Sequence, residues 1–166
     1  TLYQDLNKNI ANLYVFVPDR LYDLVTLTGL VGAVLVALGI AAAGWRSRVK
    51  LSDDLLLLSA VVSVAVMPFV LPKMHDRYFF PADVLSILLL FSFPRLRLLP
   101  LAFQATSLSA YLFFLAGRFV FPLEVMALVN LVVIGWLVIV WLGSLYPHSW
   151  LAPLAARFNR PEAPAP

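Results

Sequence analysis

Residues 24–44 contain no charged side chain, and this run constrains the fold more than any other feature of the sequence. A helix that crosses a bilayer needs about 20 consecutive, mostly apolar residues. Over the 166 residues, 62% are apolar and only 13% are charged, whereas soluble proteins average about 25% charged residues. So few charges cannot cover the surface of a soluble domain. The sequence therefore predicts an integral membrane protein.

The apolar runs predict an all-α, polytopic membrane helix bundle of about five transmembrane helices with short loops. An external segment, 1–23, opens the transmembrane region, 1–146, and a cytoplasmic, partly disordered tail, 147–166, follows it. Pro68 predicts a kinked or early-ending second helix. The Ser, Thr and Gln side chains of the fourth run are expected to face protein or a cavity, because lipid offers them no hydrogen-bond partner. The predicted spans are approximately 24–44, 55–71, 78–99, 101–117 and 119–146.

The distribution of Lys and Arg gives the expected orientation. Under the positive-inside rule, the side with more of these residues faces the cytoplasm. That side would hold Arg46, Arg48, Lys50, Arg95, Arg97, Arg157 and Arg160. The other, extracytoplasmic side would hold Lys8, Arg20, Lys73, Arg77 and Arg118, together with most of the acidic residues.

Several function classes lack their signatures in this sequence. The net charge is +3, but no dense basic stripe accompanies it, so nucleic-acid binding is excluded. The absence of cysteine excludes disulfides, thiolate nucleophiles and cysteine-metal sites. No GxGxxG, P-loop or Gly-x-Ser-x-Gly pattern supports nucleotide or hydrolase chemistry.

Residues 71–83 concentrate ionisable side chains in a connection too short to form a domain. Lys73, His75 and Arg77 alternate along it, so that an extended loop or a tight turn would aim all three at one anion. Pro81 suits the first turn of the next helix, whose free N–H groups also favour an anion. Anchoring of the loop to lipid headgroups is the alternative interpretation.

Two polar residues inside the apolar runs have structural explanations. Asp83 is expected to interact with the dipole at the start of its helix, although it would also be placed to face the same loop or to pair with Arg77. Asn130 is expected to hydrogen-bond between helices.

Residues 72–82 resemble the late external-loop motif of GT-C membrane glycosyltransferases, in particular bacterial proteins similar to the GPI mannosyltransferase II (PIG-V) group. In those relatives a Met-His-Glu-Arg-Tyr string precedes a Pro-Ala helix start. Asp76 stands where Glu is usual. This chain reads Pro72-Lys73-Met74-His75-Asp76-Arg77-Tyr78-Phe79-Phe80-Pro81-Ala82.

A second segment resembles the same proteins less closely. Asn9-Ile10-Ala11-Asn12-Leu13-Tyr14 is similar to their external Asn-Ala-Pro-Asn-Leu-Tyr segment, and Ile10 and Ala11 depart from it. An aromatic segment at the membrane boundary is the ordinary alternative.

The resemblance implies transfer of a hexose, here expected to be mannose, from a polyprenyl-phosphate-linked donor to a glycan, lipid or protein acceptor on the extracytoplasmic face. It implies catalytic roles for His75 and Asp76: His75 stabilises or protonates the leaving phosphate, and Asp76 orients His75 or Arg77. Donor-phosphate binding would fall to Lys73, His75, Arg77 and Tyr78. No metal or cofactor is expected besides the donor substrate.

Members of this superfamily place the catalytic carboxylate in their first external loop, which has no counterpart here. We therefore expect the chain to be the C-terminal part of a longer enzyme in a bacterial plasma membrane, with the N-terminal remainder and membrane lipid as partners. The acceptor base would lie upstream of Thr1, and this part alone would be inactive. Two alternatives stay open: a transporter or flippase for a lipid-linked glycan, and a noncatalytic membrane scaffold.

Overall fold

The computed structural model describes residues 6–7, 9–117 and 121–158, without the side chains of Asp76 and Phe114. Every regular element in this part of the chain is helical, in agreement with the predicted all-α class. Its α-helices are α1 (Tyr22–Arg46), α2 (Asp53–Val70), α3 (Phe80–Ser92), α4 (Leu98–Ala116), α5 (Leu123–Leu145) and α6 (Ala152–Ala156). Short 3-10 helices cover Leu13–Phe16, Asp19–Leu21, Asp76–Phe79 and Pro94–Leu96.

Helix length and composition agree with a membrane protein. Three helical stretches in the described residues are long and apolar enough to cross a bilayer: Asp19–Arg46, which contains α1, then α2 and α5. α3 has 13 residues and is about 20 Å long, against a hydrocarbon core of about 30 Å. These criteria support three spans, and they do not establish the predicted five.

The predicted third span, 78–99, is not one continuous helix. α3 ends at Ser92, and Phe93 leaves the helical region with φ −129° and ψ 71°. Pro94 explains this break, because the residue before a proline disfavours the helical conformation and proline has no N–H to continue the helix. A 3-10 helix, Pro94–Leu96, then leads into α4, which begins at Leu98.

Four helices surround one apolar core. α2 contacts α3 and α5, and α4 contacts the same two helices, so the four close into a ring. α1 packs outside this ring against α2, and of its residues Ala33 is the one that is buried. The centre of the core is formed by Leu58, Leu89, Phe103 and Leu137, each no more than 1% exposed.

Hydrogen bonds between buried polar groups link the helices within the core. Thr106 of α4 donates from Oγ1 to Asn130 Oδ1 of α5 at 2.9 Å. Asn130 in turn donates from Nδ2 to the Ala11 carbonyl oxygen at 2.9 Å. Ser107 and Ser109 are buried as well. The expectation that Asn130 bonds between helices is confirmed. Of the α4 side chains expected to face protein or a cavity, Thr106, Ser107 and Ser109 are buried, whereas Gln104 is exposed.

One end of the bundle, named here the arginine end, gathers most of the arginines. The Tyr146 hydroxyl donates to the Ala43 carbonyl oxygen at 2.9 Å and joins the end of α5 to α1. Arg95 donates from Nη1 to the Arg157 carbonyl oxygen at 2.9 Å and joins the α3–α4 turn to the chain after α6. The described basic residues at this end are Arg46, Arg48, Lys50, Arg95, Arg97 and Arg157.

The opposite end, named here the loop end, holds the described residues before α1 and the connection between α2 and α3. The Lys73 N–H donates to the Leu6 carbonyl oxygen at 2.9 Å and ties these two segments together. The 3-10 helix Leu13–Phe16 contacts α5. Lys8, Arg118 and Arg160, which entered the predicted orientation, lie outside the described residues.

Gly143 lets α6 pack closely on α5, and its replacement by alanine is expected to lower the free energy of unfolding by about 2 kcal/mol. A Cβ at this position would lie 2.6 Å from Ala155 Cβ and 2.7 Å from the Leu151 carbonyl oxygen. Gly135→Ala is the matched control, because a Cβ there has no neighbour within 4 Å. Thermal unfolding in neutral detergent compares the two variants. Equal melting temperatures would contradict the packing of α6 on α5.

Candidate functional site

Asn12 fastens the N-terminal segment to the end of α2. Its Nδ2 donates to the carbonyl oxygens of Pro68 at 3.4 Å and Leu71 at 3.3 Å. Its Oδ1 accepts the Tyr14 N–H at 3.0 Å and Asn7 Nδ2 at 2.8 Å. The last carbonyls of a helix have no partner within that helix. Asn12, 0% exposed, therefore acts as a side-chain cap supplied from far away in the sequence.

Tyr14 completes this cap. Its hydroxyl donates to the Val70 carbonyl oxygen, the last of α2, at 2.8 Å. Burial raises the pKa of the Tyr14 phenol above its ordinary value, which keeps the donor proton in place. Gly29 of α1 makes room for the ring, because a Cβ at this position would meet the Tyr14 hydroxyl and the side chain of Pro72.

The basic loop, residues 73–77, starts from this capped helix end. Lys73 has φ +60°, a left-handed conformation that is uncommon outside glycine. The hydrogen bond from its N–H to Leu6 holds the backbone in this position. Farther along, Asp76–Phe79 forms a 3-10 helix that contacts both α2 and α4. The loop is therefore fixed at both ends to the helical bundle.

The side chains of the basic loop point to different neighbours. Lys73 Nζ lies 4.9 Å from the ring centroid of Tyr22, the first residue of α1. The His75 ring lies 6.1 Å from the Tyr78 ring between centroids, tilted by 44°. Arg77 and Tyr78 are exposed. The cations share one loop, and no described contact joins them to one another.

Lys73 and Arg77 carry the positive charge of the basic loop. No ion pair joins either of them, or His75, to a carboxylate whose side chain the structure describes. The side chain of Asp76, predicted to orient His75 or Arg77, lies outside the description. No side chain caps the start of α3, and Pro81 stands in its first turn, as expected. Cations and a helix start together favour an anion.

Asp83 belongs to the α3–α4 interface rather than to the basic loop. It is 3% exposed and lies in the first turn of α3. Ser107 donates from Oγ to Asp83 Oδ1 at 2.9 Å, and Gln104 donates from Nε2 to the Asp83 carbonyl oxygen at 3.1 Å. Pairing with Arg77, one of the alternatives for this residue, is therefore wrong. Its place in the first turn agrees with the helix-dipole interpretation.

An apolar groove descends along α1 from the loop end. It encloses about 320 Å³ between α1, α2 and the 3-10 helix that contains Tyr14. Residues three, four or seven apart lie on one face of a helix, so the α1 side of the groove is a single stripe. Small residues keep this stripe open. The stripe consists of Val25, Thr28, Gly29, Gly32 and Val36.

A polar cavity of about 380 Å³ lies on the α5 side of the same end. Its carboxylates, Asp19 and Glu124, are exposed. Both have local roles: Asp19 Oδ1 accepts the Leu6 N–H at 3.1 Å, and Glu124 lies in the first turn of α5. The loop end thus presents a cationic loop, an apolar groove and a polar cavity.

Sequence reasoning singled out the basic loop but gave Asn12 and Tyr14 no role. The signal in the sequence was an Asn two residues before a Tyr in an otherwise apolar segment. Comparison with family models, with curated proteins and with solved structures finds no match to this chain. The function is therefore inferred from the geometry of the loop end.

Proposed function

We propose that this chain is the C-terminal part of an integral membrane glycosyltransferase whose basic loop binds the phosphate of a polyprenyl-phosphate-linked hexose donor. The observation that carries the proposal is the position of the basic loop next to an apolar groove: Pro72, the residue before Lys73, lies against Gly29 in the groove wall. A polyprenyl phosphate matches both features, because its phosphate would lie against the basic loop and its apolar chain would lie in the groove.

In this proposal α1 to α5 all cross the bilayer. α3 leaves the loop end, and the turn that follows it lies at the arginine end, where Arg95 contacts Arg157. The 3-10 helices Asp76–Phe79 and Pro94–Leu96 extend α3 at both ends. The positive-inside rule then assigns the arginine end to the cytoplasm and the basic loop to the extracytoplasmic face.

The cations of the loop would stabilise the charge that develops during transfer. The acceptor hydroxyl oxygen attacks C1 of the hexose, the bond from C1 to the phosphate oxygen breaks, and polyprenyl phosphate leaves. Lys73 and Arg77 offset the negative charge on that phosphate, and His75 stabilises or protonates it. Tyr78 donates a hydrogen bond to it. The acceptor proton passes to a base upstream of Thr1, and Asp76 orients His75 or Arg77.

The groove would hold the first isoprene units of the donor. Its wall from Val25 to Val36 covers 12 residues of α1, or about 16 Å at the rise of an α-helix. The groove is open along its side, so the rest of the polyprenyl chain can extend from the groove into the surrounding lipid. Apolar contact supplies affinity here, and the cations supply selectivity for the phosphate.

Binding of farnesyl phosphate tests this proposal directly. We expect the purified protein in neutral detergent to bind farnesyl phosphate and not farnesol, by native mass spectrometry. Arg77→Gln is expected to weaken binding about tenfold, because it removes a charge-assisted hydrogen bond. Arg20→Gln, which removes another exposed cation from the loop end, is the control for general charge and is expected to bind as wild type.

A second pair of variants tests the groove. Gly32→Leu projects a side chain into the groove, whereas Gly39→Leu changes α1 outside it. A Cβ at either glycine has no neighbour within 4 Å, so neither replacement creates a clash at that atom. Gly32→Leu alone should lower the affinity for farnesyl phosphate. Equal affinity in both variants, or equal binding of farnesol, would contradict the proposal.

A further inference from the structure

A cavity at the arginine end lies where α1 and α5 both end. It encloses about 600 Å³. The chain after α1 supplies Arg48 and Val49 to its wall, and the chain after α5 supplies Tyr146 to Ser149. The Tyr146 hydroxyl donates to the Ala43 carbonyl oxygen at 2.9 Å and so joins the two helix ends. The cavity is therefore formed where two long helices are tied together.

Internal contacts fix the shape of this cavity. Leu145, which lines it, is 1% exposed. Val49 is half-buried and packs against the main core. The turn after α5 is closed by Ser149, whose N–H and Oγ both donate to the Tyr146 carbonyl oxygen, at 2.9 and 2.7 Å. The inner part of the cavity is thus apolar and held by the fold.

Basic side chains form the outer part of the same cavity. Arg46, Arg48 and His148 line it, and all three are exposed. The last carbonyl oxygens of α1 take their hydrogen bonds from other groups. Ala43 accepts from the Ser47 N–H and from Tyr146, and the Gly44 carbonyl accepts from the Ser47 hydroxyl. The two guanidinium groups are therefore not required to cap this helix.

The helix ends alone would favour a cation here, and the arginines reverse that preference. The carboxyl ends of α1 and α5 carry partial negative charge. Arg46 lies in the last turn of α1 and offsets it. Arg48 and His148 lie beyond the ends of α1 and α5, where the influence of the helix dipole falls off. Recognition of an anion thus falls mainly to Arg48.

Two tryptophans indicate that this cavity lies at a membrane boundary. Trp45 is 91% exposed and Trp150 is 81% exposed, and they adjoin Arg46 and Ser149 of the cavity wall in sequence. Tryptophan is enriched where lipid headgroups meet the acyl region. α1 and α5 both belong to stretches long and apolar enough to cross a bilayer. A lipid headgroup is therefore the anion that this position favours.

We propose that this cavity binds the headgroup of one anionic phospholipid from the leaflet that surrounds the arginine end. Arg48 binds the phosphate through its planar guanidinium, Arg46 and His148 donate further hydrogen bonds, and the glycerol carbons lie against Val49 and Leu145. Free phosphate lacks these apolar contacts, and the choline of a zwitterionic lipid is repelled by the arginines. The inference goes beyond sugar transfer and requires only that α1 and α5 cross the bilayer.

Native mass spectrometry with two lipids of equal chain length tests this inference. The protein in neutral detergent is titrated with dioleoyl phosphatidylglycerol and with dioleoyl phosphatidylcholine. We expect the first phosphatidylglycerol to bind about tenfold more tightly than phosphatidylcholine. Arg48→Gln should lower the affinity for phosphatidylglycerol about fivefold, because one basic side chain beside an anionic lipid contributes about that factor. Arg48→Lys keeps the charge and should retain most of the affinity.

Arg97→Gln is the matched control, because it makes the same substitution at another exposed arginine of this end, at the start of α4. It should bind phosphatidylglycerol as wild type, and excess inorganic phosphate should not displace the lipid. Equal affinity for the two lipids, an equal loss in Arg97→Gln and Arg48→Gln, or displacement by phosphate would overturn the inference. Because Arg48 and Arg97 are exposed, the variants are expected to fold as wild type, which thermal unfolding in the same detergent checks.

Discussion

Replacing Asn12 by leucine is expected to lower the free energy of unfolding by about 3 kcal/mol, because it leaves several buried polar groups without partners. The carbonyl oxygens of Pro68 and Leu71 and the Tyr14 N–H all bond to this side chain. Leucine is similar in size, so the loss comes from hydrogen bonds and not from a cavity. Thermal unfolding in neutral detergent measures it.

The neighbouring Asn9→Gly variant is the control for this change. Asn9 is half-buried and has φ +59°, a conformation that glycine adopts readily, so its replacement should change stability by less than about 0.5 kcal/mol. Hydrogen exchange supplies a second readout, because loss of Asn12 should speed exchange at the basic loop as well as at the end of α2. A similar stability for Asn12→Leu and Asn9→Gly would contradict the capping role.

Replacing both His75 and Arg77 by alanine in the full-length protein is expected to lower kcat for hexose transfer by about 1000-fold. Loss of one group that stabilises developing negative charge costs about 100-fold to 1000-fold in comparable sites. Arg77 is exposed and His75 half-buried, so expression and melting temperature should stay close to wild type. The measurement is release of polyprenyl phosphate from a polyprenyl-phosphate hexose.

Arg20→Ala is the matched control for this double variant, since Arg20 is another exposed cation at the loop end. It should keep normal turnover. Near-normal turnover of the His75 and Arg77 variant, with Arg20→Ala unchanged, would remove the basic loop from the mechanism. A fall in both by the same factor would point to surface charge alone.

Much of the fold was predictable because uncharged runs determine where long helices lie. α1, α2 and α5 follow from such runs, and α2 ends at Val70, soon after Pro68. The break between α3 and α4 was also predictable, since Pro94 followed by Arg95 and Arg97 indicates a turn, but the predicted span was continued through it to residue 99. Local sequence rules thus account for helices and their ends.

The packing of the loop end was not predictable in the same way. Asn12 bonds to carbonyl groups 56 and 59 residues away, and Asp83 bonds to Ser107 at a separation of 24 residues. No local pattern specifies such partners. The direction of the Lys73 side chain depends on a left-handed backbone conformation, which the presence of a lysine does not predict. The residue types of the candidate site were therefore predictable from the sequence, whereas the groups that they contact in the fold were not.

The fate of the donor in sealed vesicles that contain the full-length protein distinguishes hexose transfer from transport. The donor is a polyprenyl-phosphate hexose labelled in the sugar and supplied with its acceptor fraction. We expect labelled hexose to appear on the acceptor and polyprenyl phosphate to be released in equal amount. Movement of the intact labelled donor across the membrane, with no polyprenyl phosphate released, would contradict hexose transfer and would indicate a transporter.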